Sequence, residues 1–232
     1  TLTPTLVAKF NPNNNKNIRN EKRQINYGNV YSINRLSSDE ILEGGESLTL
    51  GNEFKLFSKE DDSQEIFGLN LATSIRRNEN FDLPINSTLG SKTSNIIGQA
   101  TYNLNDSINL DYNFLLDNSF NNFNYHNIET NFKINNFVTS FEFIEENNEI
   151  GSESFVANET TLEINENNNL KFKTRKNKKT DLTEYYNLIY QYKMDCLVAA
   201  IEYNKDYYND GELKPEESLF FSITFMPFNN TV

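Results

Sequence analysis

The chain repeats about a dozen segments, each the length of a membrane-barrel strand, in which apolar and polar residues alternate. The last is the clearest: Leu219, Phe221, Ile223 and Phe225 fall on one side, Phe220, Ser222, Thr224 and Met226 on the other. Successive side chains of a strand point to opposite faces, so a period of two predicts a sheet with one apolar and one more polar face. Strands are expected over 3–9, 46–57, 66–76, 96–104, 108–116, 126–134, 137–145, 155–164, 170–175, 182–192, 196–203 and 219–225. In the fifth, Ile108, Leu110, Tyr112, Phe114 and Leu116 alternate with Asn109, Asp111 and Asn113, a pattern that does not fit a helix. No segment reads as a helix.

The connectors carry a second periodicity. Tight links rich in Asn and Asp, residue types that tolerate turn geometry, fall at 105–107, 135–136, 165–169 and 193–195. Longer ones alternate with them at 10–45, 77–95, 117–125, 146–154, 176–181 and 204–217; the acidic link 58–65 is a medium-length exception on the short side. Outer-membrane barrels have this asymmetry, with short periplasmic turns and long extracellular loops. The expected fold class is therefore all-β, an antiparallel transmembrane β-barrel of about 12 strands, with a soluble β-sandwich or a β-solenoid as rivals. The final strand descends from a long loop, which puts the C-terminus, the 193–195 turn and Cys196 on the periplasmic side.

Composition narrows the functional classes. Only 37% of the residues are hydrophobic, yet 18 Phe and 12 Tyr at regular spacing disfavour disorder. A formal net charge of -12 argues against nucleic acid as a partner. No apolar run approaches the roughly 20 residues of a membrane helix, a test that alternating barrel strands escape. The start Thr-Leu-Thr-Pro shows no signal peptide, so one was cleaved or the chain is a fragment.

Few residues carry chemistry. His126 is the only histidine, which leaves no multi-histidine metal site within the chain, and beside Tyr125 it reads as part of an aromatic rim rather than a catalytic group. No cofactor and no enzymatic activity are expected. Lys171, Lys173 and Arg175 share one strand face and continue into Lys176, Lys178 and Lys179. This basic run reads either as a solvated face balancing an acidic protein or as a surface for a phosphate-rich anion. Cys196, the single cysteine, is either a small buried or free thiol or one half of a disulfide with another chain segment. Glu43, Gly44 and Gly45 stand where a long loop enters a strand and read as structural.

Three stretches resemble the LptD family of outer-membrane lipopolysaccharide-assembly proteins, specifically the C-terminal part of its barrel. The first runs from Asn29 through Asn34, Arg35, Leu36 and Ser37, with Asp39, to Glu43-Gly44-Gly45 and the strand beyond. The second is Leu83-Pro84 through Ser94, with Gly98 following. The third is Asp195-Cys196, Tyr203, an acidic loop with Pro215, and the strand Leu219 to Phe225. The chain departs from the family in having one cysteine where some members carry an adjacent pair. It also has too few strands for the whole barrel and no N-terminal periplasmic domain.

The resemblance implies that residues 1–232 are the C-terminal portion of a larger barrel in the cell outer membrane. The implied function is non-enzymatic delivery of lipopolysaccharide to the outer leaflet. Implied partners are lipopolysaccharide, an LptE-like lipoprotein plug, an LptA-like periplasmic bridge acting through the missing N-terminal domain, and the barrel-insertion machinery, which would read the terminal strand. Cys196 would pair with a cysteine of that missing domain, and the basic run would meet lipopolysaccharide phosphates. Alternatives from other classes are a self-contained porin-like barrel of about twelve strands and a soluble β-rich binding or surface protein.

Overall fold

A computed structural model describes residues 1–13, 16–38, 40–59, 64–105, 107–147, 153–207 and 215–225. Among the described residues, twelve antiparallel strands follow one another in a single sheet, in the order of the sequence from β1 to β12. They are β1 Leu2–Asn11, β2 Gly45–Phe57, β3 Glu65–Arg76, β4 Ile96–Asn105, β5 Ile108–Leu116 and β6 Phe123–Ile134. β7 Phe137–Glu146, β8 Ser154–Asn165, β9 Asn168–Asn177, β10 Leu182–Met194, β11 Leu197–Asp206 and β12 Glu216–Phe225 complete them. A single 3₁₀ turn, Thr88–Gly90, capped by the Ser87 hydroxyl, is the one helical element among the described residues. Pro4, which cannot donate to a ladder, stands on β1 at one end of the strand order.

The expected all-β class and the alternation both stand, but several boundaries move. β6 begins at Phe123 rather than 126, taking Phe123, Asn124 and Tyr125 out of the preceding connector. β9 runs to Asn177, because Lys176 pairs with both Val156 and Thr183 while Asn177 pairs with Phe155 and Leu182. Lys176 is thus on a strand, and the connector that follows shrinks to 178–181. Met194 pairs with Leu197, which confines the tight link to Asp195 and Cys196 and takes Cys196 off the strand expected over 196–203. The link expected over 165–169 likewise contracts to 166–167. Where β8, β9 and β10 lengthen, the reason is shared: apolar alternation fades as both faces become polar, whereas backbone pairing continues. Asp39 and Met226 lie outside the described residues.

The chain forms two compact units. One comprises Thr1–Asn105, Asn109–Ile128 and Ile144–Glu153; the other comprises Asp106–Ile108, Glu129–Phe143 and Ser154–Val232. In the first unit Leu48, Leu50, Phe54 and Leu56 of β2 face the same way as Leu71 and Ile75 of β3, and all six are exposed. The opposite face is covered. Residues 16–38 and 40–44 lie back over it as a strap, and the buried core forms between the two. Ile18, Ile25, Val30, Leu36 and Ile41 of the strap, with Leu83 and Leu89 of the 77–95 loop, pack on Ala72, Ile97 and Leu115 of the sheet. The loop is tied to the strap by Ile18 N–H donating to Asp82 O at 2.8 Å and Ile85 N–H to Arg19 O at 3.0 Å.

In the second unit the exposed apolar face carries Leu188 and Tyr190 of β10, Ile201 of β11 and Leu219, Phe221, Ile223 and Phe225 of β12. Its other face presents Glu159, Lys171, Lys173 and Arg175. An apolar face of this extent, left exposed across strand after strand, is what a sheet presents to lipid rather than to water.

Candidate functional site: a strap pinned to the polar face

The end of the strap is shaped by one asparagine. Asn34 donates its amide to the carbonyls of Ser38 and Ile41, at 2.6 and 2.7 Å, and its Oδ1 accepts the Glu43 N–H at 3.2 Å. These bonds draw Ser38, Ile41 and Glu43 around Asn34, so that Arg35 and Glu43 meet beside the sheet. Ser37, exposed and at φ 51, makes the bend between them.

Arg35 and Glu43 then form a buried pair. Arg35 Nε donates to Glu43 Oε2 at 2.8 Å and Arg35 Nη2 to Glu43 Oε1, the bidentate geometry suited to a planar guanidinium. Arg76 of β3 donates to the same carboxylate and to the Gly44 carbonyl, and Lys9 Nζ of β1 lies 2.8 Å from Glu43 Oε2. The hydroxyls of Ser74 and Ser47 accept from Arg35, the latter at 3.2 Å. Arg35, Glu43 and Arg76 are 2%, 1% and 3% exposed.

One carboxylate therefore joins cations from the strap, β1 and β3. Burial opposes its charge, but Arg35 and Lys9 overcome that penalty and hold Glu43 down to about 2. Gly45 opens β2 with φ +94, and a Cβ there would come within 2.9 Å of Arg76 Nη2, so the backbone can enter the strand and pass the guanidinium only without a side chain. Lys9, Ser47, Ser74 and Arg76 were not singled out by the sequence. Their one signal is parity: all four sit on the polar side of their strands, where an unpaired charge at a strand end says nothing of its partner.

The other expected residues occupy separate places. Pro84 is buried in the 77–95 loop beside Leu83. Cys196 is a half-buried free thiol in its two-residue link. Lys171 and Lys173 both pair with Glu159, at 2.8 and 2.9 Å. Arg175 pairs with Glu184 at 2.6 Å and stacks 3.7 Å from the centroid of Phe155. Lys176 Nζ meets Asp181 at 2.6 Å, and Lys178 Nζ lies over Phe143 at 4.7 Å. Lys179 is exposed, its N–H donating to Asn177 Oδ1 at 2.9 Å. The basic run is thus threaded with acids and rings, and Lys176 faces away from Lys171, Lys173 and Arg175. His126 Nδ1 lies 2.7 Å from the Tyr112 hydroxyl in an aromatic stack with Phe123.

The chain that builds this two-faced sheet and its strap matches one family model in sequence, described as LPS transport system D, over residues 1–155. The chain belongs to the LptD family. The matched region spans β1 to β7 and the whole strap, with its Asn34, Arg35 and Glu43, and the Leu83-Pro84 loop; it ends at the start of β8. Cys196 and the terminal strand lie beyond it. Membership gives the protein a role in lipopolysaccharide transport and a place in the outer membrane as a β-barrel protein, within a family of transport proteins rather than enzymes. No curated protein matches the chain.

Proposed function

We propose that this chain forms the C-terminal part of the wall of an LptD translocon barrel, which inserts lipopolysaccharide into the outer leaflet without an enzymatic step. The observation that carries the reading is the opposition of the two faces in the first unit. Leu48, Leu50, Phe54, Leu56, Leu71 and Ile75 form an apolar surface suited to acyl chains, while the reverse side holds a buried ionic cluster and a strap. A lipid with a large polar head needs both environments within one wall.

On this reading the tight links face the periplasm, and with them Cys196 and the C-terminus. Cys196 pairs with a cysteine of an N-terminal periplasmic domain, through which an LptA-like bridge delivers substrate, and an LptE-like lipoprotein fills the lumen. The insertion machinery reads β12 through Leu219, Phe221, Ile223 and Phe225. Lys171, Lys173 and Arg175 meet lipopolysaccharide phosphates, aided by Lys176, Lys178 and Lys179 where the strand leaves the sheet. Since Glu159 already bridges Lys171 and Lys173, these cations exchange partners as substrate passes rather than waiting unpaired.

Controlled depletion of the full-length protein in cells is the test, with lipopolysaccharide at the surface measured by labelling of intact cells. Surface lipopolysaccharide falls while its synthesis continues if the reading holds; an unchanged surface amount overturns it. The double variant Lys171→Glu with Lys173→Glu, checked for normal barrel assembly, tests the phosphate contacts: delivery slows if they carry substrate and is unaffected if they do not.

A further inference from the structure

Between the strap and the sheet of the first unit lies a cavity of about 260 Å³ whose chemistry differs from that of the ionic cluster. Its polar lining is made of carboxamides: Gln24 and Asn26 from the strap, Gln99 from β4 and Asn113 from β5, with Tyr27 and Tyr125 beside them. No carboxylate, ammonium or guanidinium lines it. The volume is just below the roughly 300–1,000 Å³ of pockets for drug-sized ligands, a size for one small ring rather than a chain of them.

Several of these groups are held in place. The Gln24 main-chain carbonyl accepts from Asn29 Nδ2 at 2.9 Å, and the Asn26 N–H and Oδ1 form a reciprocal pair of bonds with Asn29. Gln99 Oε1 accepts from Asn70 Nδ2 at 3.3 Å, which leaves its NH₂ for another partner. Tyr27 packs edge-on against Tyr31 with ring centroids 5.8 Å apart. Gln24 Nε2 is buried and has no protein acceptor among the described residues. A buried donor of this kind is costly unless something from solution supplies an acceptor.

Carboxamides both donate and accept, and so match hydroxyl groups, which do the same. Tyrosines add an apolar ring with a polar tip, suited to a molecule with C–H faces and O–H edges. A phosphate or ammonium group would find no counter-charge here. We infer that this cavity is a binding subsite for one uncharged sugar ring of an oligosaccharide. The inference deepens the lipopolysaccharide-delivery reading and rests on it for the origin of the sugar.

The test uses the full-length protein in detergent and two probes: the oligosaccharide released from lipopolysaccharide by mild acid, and the same oligosaccharide after removal of its phosphates. Both should bind saturably and with similar affinity. Asn113→Ala on the sheet and Gln24→Leu in the strap should each weaken binding about tenfold, the loss of one hydrogen bond to the ligand. Using two variants from different elements guards against misfolding of either, which a urea midpoint detects. Absence of saturable binding, wild-type affinity in both folded variants, or loss of binding on removal of phosphate would each overturn the inference.

Failure of the delivery reading is distinguishable. If depletion leaves surface lipopolysaccharide unchanged while both probes bind and the variants weaken them, the subsite stands and delivery does not. If depletion stops delivery while both folded variants bind like wild type, delivery stands and the subsite does not.

Discussion

Glu43 Oε2 accepts a hydrogen bond from Arg35 Nε at 2.8 Å across eight residues of chain, and the carboxylate also meets Lys9 of β1 and Arg76 of β3. Beside its apolar packing, the strap is thus fastened to the sheet by an acid shared among three cations. Removing the acid leaves those cations buried together. Glu43→Gln should destabilise the first unit by about 3–5 kcal/mol, the range for breaking a buried pair on one side. A urea titration of the full-length protein in detergent should show a lower midpoint, and an unchanged midpoint would mean the cluster contributes nothing net.

The same carboxylate sets an acid limit on the strap. Its folded value of about 2 lies below the ordinary 4.5. The stabilisation is therefore complete above the ordinary value and fades as pH falls from there through about 2. A displacement of that size corresponds to about 3 kcal/mol. Hydroxyl-radical labelling of Tyr27 and Tyr31 should stay level from pH 7 to 5 and rise below about 4; a rise already complete by pH 5 would place the latch elsewhere.

Gly51 makes room for the strap. A Cβ at this position would stand 1.7 Å from Tyr31 Oη and 2.7 Å from its Cζ, so the tyrosine tip occupies the space a side chain would need. Gly51→Val should cost about 1–3 kcal/mol by overpacking. In a Tyr31→Ala background the same substitution should cost much less, because the obstructing ring is gone. Equal costs in the two backgrounds, read from the same titrations, would show that Tyr31 does not rest on Gly51.

Cys196 tests the proposed disulfide to a periplasmic domain. The full-length protein should run differently on gels with and without reductant, and Cys196→Ser should abolish the difference. A shift that survives the substitution would assign the bond to other cysteines.

The first three predictions concern parts of the molecule that the sequence shows least. Strands are legible because their physics is local: Leu48, Leu50, Phe54 and Leu56 alternate with Thr49, Glu53 and Lys55, and a period of two has one meaning. The strap carries no period. Ile18, Ile25, Val30, Leu36 and Ile41 are scattered through polar sequence, so nothing marks them as a core. The Asn34, Arg35 and Glu43-Gly44-Gly45 motif was visible as a resemblance and as a bend in the backbone, but its partners Lys9, Ser74 and Arg76 were not.

By itself the sequence determined the twelve strands, their meander order and the apolar face, because backbone pairing and side-chain alternation act between near neighbours. Only the tertiary structure decided what lies against the polar face. Arg35 and Arg76 come from segments 41 residues apart in the numbering and meet at one carboxylate. A charge in a sequence states its sign and not its burial, and it is burial that makes Glu43 a fastening rather than a solvated acid.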